Sequence, residues 1–403
     1  MRASNLLHPV REQMLPYARQ WIDEDDVDAV VQVLRSDYLT SGPAVEQLER
    51  KIAEYVGAAY AVSFANGTAA LHAACYAAGI GPGDRVITTP MTFAASANCV
   101  LYQGGIPVFA DIDEQTYNLD PMAVERLLTD DTKAIIPVDF TGQPADLDAI
   151  TELAQRRGIV VIEDAAHALG AEYKGRKVGQ ISDMTMFSLH PVKHITSGEG
   201  GVITTNSPKY YELLKQFRSH GITRNPSSWE NEGSRWYYEM QFLGYNYRLS
   251  DLQAALACSQ LDKLDRFVER RRTIAAQYNE AFSSCPQLQI PYQDQAGVSS
   301  WHLYIIQLNL EQLSAGRDVI YEALIQENIG VNVHYIPVYY HPYYRGLGYS
   351  GRICPRAERL YERILTLPLF PAMTDQDVED VIQSVHKVIQ HYSITEAEQE
   401  DSI

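Results

Sequence analysis

Two carboxylates and one lysine stand where a sheet-based site would need them. The run Gly158-Ile-Val-Val-Ile-Glu-Asp-Ala-Ala-His167 is an apolar strand that ends in Glu163 and Asp164, and a later apolar run ends in Phe187-Ser188-Leu-His190-Pro191-Val-Lys193. An ε-amine just beyond a buried strand is placed to condense with a carbonyl, and the resulting Schiff base becomes useful when an electron sink is attached to it. Pyridoxal phosphate offers such a sink, provided a carboxylate keeps its ring nitrogen protonated. Asp164 is the candidate for that carboxylate and Lys193 for the imine. Taken singly, Asp164 reads as a helix cap and Lys193 as a surface lysine; together they point to chemistry.

The cofactor's phosphate needs N–H groups and hydroxyls. Phe64-Ala-Asn66-Gly67-Thr68-Ala-Ala-Leu71 supplies them at a strand-to-helix turn, where Gly67 permits close approach and the helix N-terminus favours an anion. Asn66 and Thr68 also suit helix capping, and the two roles are compatible. Ser188 adds a hydroxyl, and Phe93 within Thr92-Phe93-Ala-Ala-Ser96 offers an aromatic face for a ring. Gly79-Ile-Gly81-Pro-Gly83 has the wrong spacing for a dinucleotide fingerprint and reads as a turn. His334, His341 and the tyrosines around them lack a partner at ligand spacing, and Cys75, Cys99, Cys258, Cys285 and Cys354 form no CxxC pair, so neither a metal centre nor a disulfide framework is expected.

The elements that would position these residues alternate in type. Helices are expected over Glu24–Leu34 and from the Ser41-Gly42-Pro43 turn to Tyr55. Strands are expected at 61–64, 85–88, 107–110, 134–138, 160–162, 184–188 and 201–204. Short apolar strands separated by helices make an α/β fold with a mostly parallel sheet, whose ligands gather at the carboxyl ends of the strands. A polar, aromatic loop follows near Trp229 and Trp236, then a long charged helix from Leu249 to Ala281. Further strands over 298–308 and 330–334 indicate a smaller α+β domain. The expected division is a large domain over residues 1–282, including an N-terminal arm, and a small one over 283–403. A chain of 403 residues with a formal charge of -18 is a poor partner for nucleic acid. No apolar run approaches the roughly 20 residues needed to cross a bilayer, and no signal-peptide pattern opens the chain, so a cytoplasmic location is expected.

These residues resemble the DegT/DnrJ/EryC1/StrS sugar aminotransferases, of the aspartate aminotransferase-like fold type I, over about Leu15 to Ile389. The motifs that carry the resemblance are Leu39-Thr-Ser-Gly-Pro43, Asn66-Gly-Thr-Ala-Ala-Leu71, Val161-Ile-Glu-Asp-Ala-Ala-His167, Phe187-Ser-Leu-His-Pro-Val-Lys193, Gly198-Glu-Gly-Gly201, Gly244-Tyr-Asn-Tyr-Arg248 and Val333-His-Tyr-Ile-Pro337. The resemblance implies a homodimer with shared active sites, in which Asn246 reaches the partner's cofactor phosphate and Arg248 lies close by. It places Gly67, Thr68 and Ser188 at the phosphate, Phe93 on the ring, Asp164 at the ring nitrogen, His167 beside the ring, and Lys193 at the imine. Family members with histidine at the imine position dehydrate instead, so Lys193 implies transamination. The segments Phe217–Pro226, Trp236–Met240 and Gly244–Arg248 look most like the pseudaminic-acid pathway enzymes, which aminate C4 of a UDP-linked 4-keto-2-acetamido-2,6-dideoxy hexose with glutamate. His194 and the extension before Met14 depart from that pattern. A dTDP- or GDP-linked 4-keto-6-deoxyhexose, a 3-keto sugar, or a non-catalytic regulator are the alternatives. Tyr17, Arg248, His334 and Tyr335 are the candidate sugar contacts.

Overall fold

The computed structural model describes residues 8–394. The apolar runs form one seven-stranded sheet: β1 Tyr60–Phe64, β2 Arg85–Thr88, β3 Ile106–Phe109, β4 Thr132–Ile136, β5 Val160–Asp164, β6 Met184–Ser188 and β7 Gly201–Thr205. Their spatial order is β1-β7-β6-β5-β4-β2-β3. From β6 to β3 the neighbours run parallel, while β7 is antiparallel to both β6 and β1. Most residues of β4 to β7 are buried, as strands covered on both faces must be.

The placement of β7 brings remote segments together. Gly201 pairs with Phe64 on one side and Ser188 on the other, which sets the 66–68 turn beside Ser188. A Cβ on Gly201 would stand 2.6 Å from the Asn66 carbonyl oxygen, so the close approach requires glycine.

Helix α1 (Glu24–Leu34) is held by a reciprocal cap between Asp23 and Asp26. Helix α2 (Pro43–Val56) has no side-chain cap at Gly42. Its N-terminus is satisfied from elsewhere in the chain: the buried Asp251 carboxylate accepts the N–H of Gly42 at 2.7 Å and of Ala44 at 2.9 Å. Helices α3 (Gly67–Ala77) and α4 (Ala95–Tyr102) follow β1 and β2 respectively.

Three stretches differ from the sequence reading. The charged run expected as one helix is two, α5 (Asp251–Leu261) and α6 (Leu264–Phe282). Lys263 sits at the break and pairs with Asp23 and Asp26 of the first helical cap, while Ser259 and Gln260 also donate to Asp26, so polar anchoring to α1 overrides helix continuation. The strand expected over 298–308 is regular only at Tyr304–Leu308. Gly297 and Val298 pair with Glu172 and Tyr173, and between them Ser300 and His302 donate backbone N–H groups to Gly142 and Thr141. The strand expected over 330–334 reduces to one bridge, Asn332 to Thr366.

A smaller antiparallel sheet, β8 (Leu288–Gln289), β9 (Tyr304–Leu308) and β10 (Ile364–Leu367), is ordered β8-β9-β10. Its core takes in Ile274, Tyr278 and Phe282 from α6, and also Leu15. Leu15, ahead of α1, thus packs on the core of this smaller sheet and is bonded to Asn328 and Gly330 through the backbone. No helix among the described residues is long and apolar enough to cross a membrane.

Replacing Asp251 by alanine removes the acceptor for two N–H groups at the start of α2. The expected loss is about 3 kcal/mol, the scale of charge-assisted hydrogen bonds. Urea unfolding of the variant against the parent checks this, with loss under about 0.5 kcal/mol contradicting it.

Candidate active site

The carboxyl ends of β5 and β6, the N-terminus of α3 and the irregular segments at 299–303 and 330–335 surround a cleft of about 860 Å³. Of the residues expected from sequence, Tyr17, Gly67, Thr68, Phe93, Asp164, His167, Ser188, Lys193, His334 and Tyr335 line it. Asn246 and Arg248 do not. Asn246 is exposed and Arg248 half-buried, both outside the cleft of their own chain.

Strand alternation separates the two carboxylates of β5. Asp164 faces the cleft, whereas Glu163 is turned away, fully buried, and accepts the Thr185 hydroxyl at 2.8 Å. Asp164 accepts the Ser96 hydroxyl at 2.6 Å and the Ala166 N–H at 3.2 Å. Ser96 Oγ in turn lies 2.7 Å from Thr92 Oγ1. Burial pushes the Asp164 carboxyl up, and the Ser96 and Ala166 hydrogen bonds and the nearby Lys193 charge pull it back. The sequence reading gave Ser96 no role; its signal is a hydroxyl in the first turn of the helix that follows Phe93.

The Lys193 amine lies in the same cleft, 3.4 Å from His302 Nε2. Burial brings its ammonium down to about 8, with Asp164 opposing that change and Arg271 adding to it. An amine titrating there serves both as proton acceptor and donor near neutral pH. Around it, His167, His194, His302 and His334 are all buried, and burial drives each imidazole toward the neutral form, His334 down to about 3. His167 Nε2 is 3.1 Å from the Tyr335 hydroxyl, and His334 Nδ1 is 2.8 Å from Thr366 Oγ1. His194, next to the lysine in sequence, turns from the cleft and lies 3.2 Å from the Ser300 carbonyl oxygen. His302 was not anticipated, because it falls in a stretch that reads as strand. No cluster able to hold a metal is present among the described residues.

At the other end of the cleft, the Asn66 side chain caps α3 by accepting the Ala69 N–H at 2.8 Å. The first N–H groups of a helix have no partner within it, which leaves those of Gly67 and Thr68 for an anion. A Cβ on Gly67 would come 3.3 Å from Met186 Sδ and 3.6 Å from Ser188 Oγ, filling the cradle between the turn and that hydroxyl. A buried carboxylate, an amine of lowered basicity and an anion cradle in one cleft are the donor set that pyridoxal phosphate requires.

The comparisons with known proteins agree. The model of the DegT/DnrJ/EryC1/StrS aminotransferase family matches residues 20–386. The chain belongs to this family. It is 42% identical over 381 residues to the spore coat polysaccharide biosynthesis protein SpsC of Bacillus subtilis strain 168, covering 94% of this chain and 98% of that one. Among solved structures it is similar to Helicobacter pylori PseC, an aminotransferase involved in pseudaminic acid biosynthesis, with a TM-score of 0.88 and 31% identity over 94% of this chain and 100% of that one. The PLP-form of the putative sugar aminotransferase Spr1654 from Streptococcus pneumoniae gives a TM-score of 0.87 and 31% identity, covering 94% and 99%. This DegT/DnrJ/EryC1/StrS member is thus a sugar aminotransferase with the α/β fold of that class and pyridoxal phosphate as its cofactor.

Behind Asp164 lies a second acidic feature. Asp139, fully buried, accepts the Ala145 N–H at 2.9 Å through Oδ1 and donates its own backbone N–H to the Asp164 carbonyl at 3.1 Å. No hydrogen-bond donor reaches its Oδ2 or Glu163 Oε1. Burial, together with the Glu163 charge, pushes the Asp139 carboxyl well up, and burial raises Glu163 as well. Two such groups are stable with a proton between them. Because their folded-state affinities for protons exceed the unfolded ones, their contribution is full below the ordinary carboxylate range and declines as pH rises toward the folded values. Asp139→Asn, which supplies a permanent N–H, is expected to lose less stability than the parent between a pH just above the ordinary carboxylate range, about 5, and a second pH about two units higher. Denaturant titrations of parent and variant at the two pH values measure the difference, and parallel pH dependences would contradict the shared proton.

Proposed function

We propose that this enzyme transfers an amino group from glutamate to C4 of a UDP-linked 4-keto-2-acetamido-2,6-dideoxy hexose. The reading rests on one observation: the Lys193 amine, the buried Asp164 carboxylate and the Gly67–Thr68 anion cradle open into the same cleft. Similarity to PseC favours the sugar. When bound, pyridoxal phosphate supplies the electron sink for loss of a proton next to nitrogen. Gly67, Thr68 and Ser188 would hold its phosphate, Phe93 and His167 would contact its ring, and Asp164 would keep the ring nitrogen protonated. Lys193 Nζ takes the proton from one carbon and returns it to another, since it is tethered in the cleft and its basicity is already reduced.

In this reading the enzyme is a homodimer. The exposed position of Asn246, outside its own cleft, suits a residue that serves the partner subunit's phosphate, with Arg248 beside it. Tyr17, His334 and Tyr335 of one subunit and Arg248 of the partner subunit face the sugar, and the site lies between a large domain and a smaller one divided near Phe282.

The test is incubation of the purified protein with pyridoxal phosphate, glutamate and the UDP-linked keto sugar, followed by mass spectrometry of the nucleotide sugar, with Lys193→Ala in parallel. The expected result is conversion of ketone to amine in the parent and at least about a thousandfold less in the variant, the scale for loss of a general acid–base group. Product from dTDP- or GDP-linked ketones alone would replace the assigned sugar, and product from none would contradict the catalytic reading.

A further inference from the structure

We propose that His302 is a positioning residue for Lys193, directing its amine from a place that Arg271 holds fixed. The inference rests on the reading of Lys193 as the reactive amine. Among the described residues, His302 Nε2 is the one side-chain hydrogen-bonding partner of Nζ, at 3.4 Å. Asp164 acts on that amine through its charge without forming a hydrogen bond or close ion pair to it. Charge at a distance favours the ammonium but does not orient a side chain with four rotatable bonds, whereas a hydrogen bond to a fixed ring does. An imidazole also suits either state of the amine: Nε2 accepts from the ammonium in one tautomer and donates to the free amine in the other.

The backbone around His302 is built irregularly to put it there. The chain leaves strand geometry at 299–303, Trp301 takes a left-handed φ of 52°, and His302 donates its N–H to Thr141 at 2.8 Å. A non-glycine residue in that region costs about 1–2 kcal/mol, which the surrounding contacts must offset. Arg271 provides such contacts. Fully buried in α6, it donates through Nη1 to the carbonyls of Trp301 at 3.3 Å, His302 at 3.2 Å and Leu369 at 2.8 Å. No carboxylate pairs with it among the described residues, and its Nε and Nη2 are unpartnered. A buried guanidinium spent on the carbonyls of 301 and 302 is a fastening for that segment rather than half of an ion pair. His302 itself is packed between His167, 4.4 Å away by ring centroids, and His194 at 5.5 Å, so its ring has little freedom to turn.

The test compares His302→Gln, whose amide both accepts and donates, with His302→Met, which keeps volume but offers no comparable hydrogen bond. Two readouts apply to the full-length protein. In protein cleared of cofactor, uptake of added pyridoxal phosphate onto Lys193 is followed by visible absorbance, with the labelled lysine identified by borohydride reduction and peptide mapping. In the loaded enzyme, kcat and KM are measured separately. His302→Met is expected to slow uptake and to lower kcat by about tenfold while leaving KM for the keto sugar within about twofold, and His302→Gln to recover most of both. Should His302→Met fail to fold, His302→Asn, whose shorter amide stops short of Nζ, takes its place with the same expected loss. Uptake in the Met variant at the parent rate, or a Gln variant no better than Met, overturns the proposal. Uptake needs no sugar, so failure of every keto sugar to react leaves this test intact, whereas parent protein labelled elsewhere than Lys193 overturns the underlying reading.

Discussion

Burial of the Asp164 carboxylate is the constraint around which the rest of the site is arranged. A carboxylate withdrawn from water must find hydrogen bonds or an opposite charge, or else take up a proton. Asp164 has one hydroxyl from Ser96, one backbone N–H from Ala166, and the field of Lys193. The four histidines nearby add no formal charge, since burial keeps them neutral. These contacts only partly offset its burial, and a protonated ring nitrogen on its cleft side would favour the charged form further. The same burial lowers the basicity of Lys193, so one physical cause prepares both partners.

The sheet makes this possible by topology. Strands β5 and β6 are parallel neighbours, with Asp164 paired to Met186, so the segments that carry Asp164 and Lys193 leave the sheet at the same edge. Reversal at β7 then draws the phosphate turn into place, because Gly201 is flanked by Phe64 and Ser188. Both juxtapositions follow from strand order, which explains why short motifs far apart in the chain could be read together.

What the sequence made legible was what periodicity and residue type encode. Seven apolar runs marked the seven strands to within a residue or two at most ends, and the strand-end positions of Asp164, Ser188 and Gly67 placed the cleft. Positions set by long-range hydrogen bonds were not legible. Val298-Ser-Ser-Trp-His-Leu-Tyr-Ile reads as one strand, but bonds to the 141–142 turn break it and swing His302 toward Lys193. The segment at 330–334 reads as strand for the same reason and instead carries His334 and Tyr335 into the cleft. In both cases regular pairing gave way where a side chain had to reach the site, the kind of place where local pattern and function are expected to part. Nothing in the pattern assigned Ser96 its task, because a serine in the first turn of a helix is commonplace.

The central claim is that Asp164 keeps the cofactor's ring nitrogen protonated. Nitrogen-15 NMR of the protein loaded with pyridoxal phosphate labelled at that atom reads the protonation state directly, in the parent and in Asp164→Asn. The account predicts a protonated nitrogen throughout the neutral range in the parent and its loss in the variant. An unprotonated nitrogen in the parent, or a protonated one in both proteins, would contradict it.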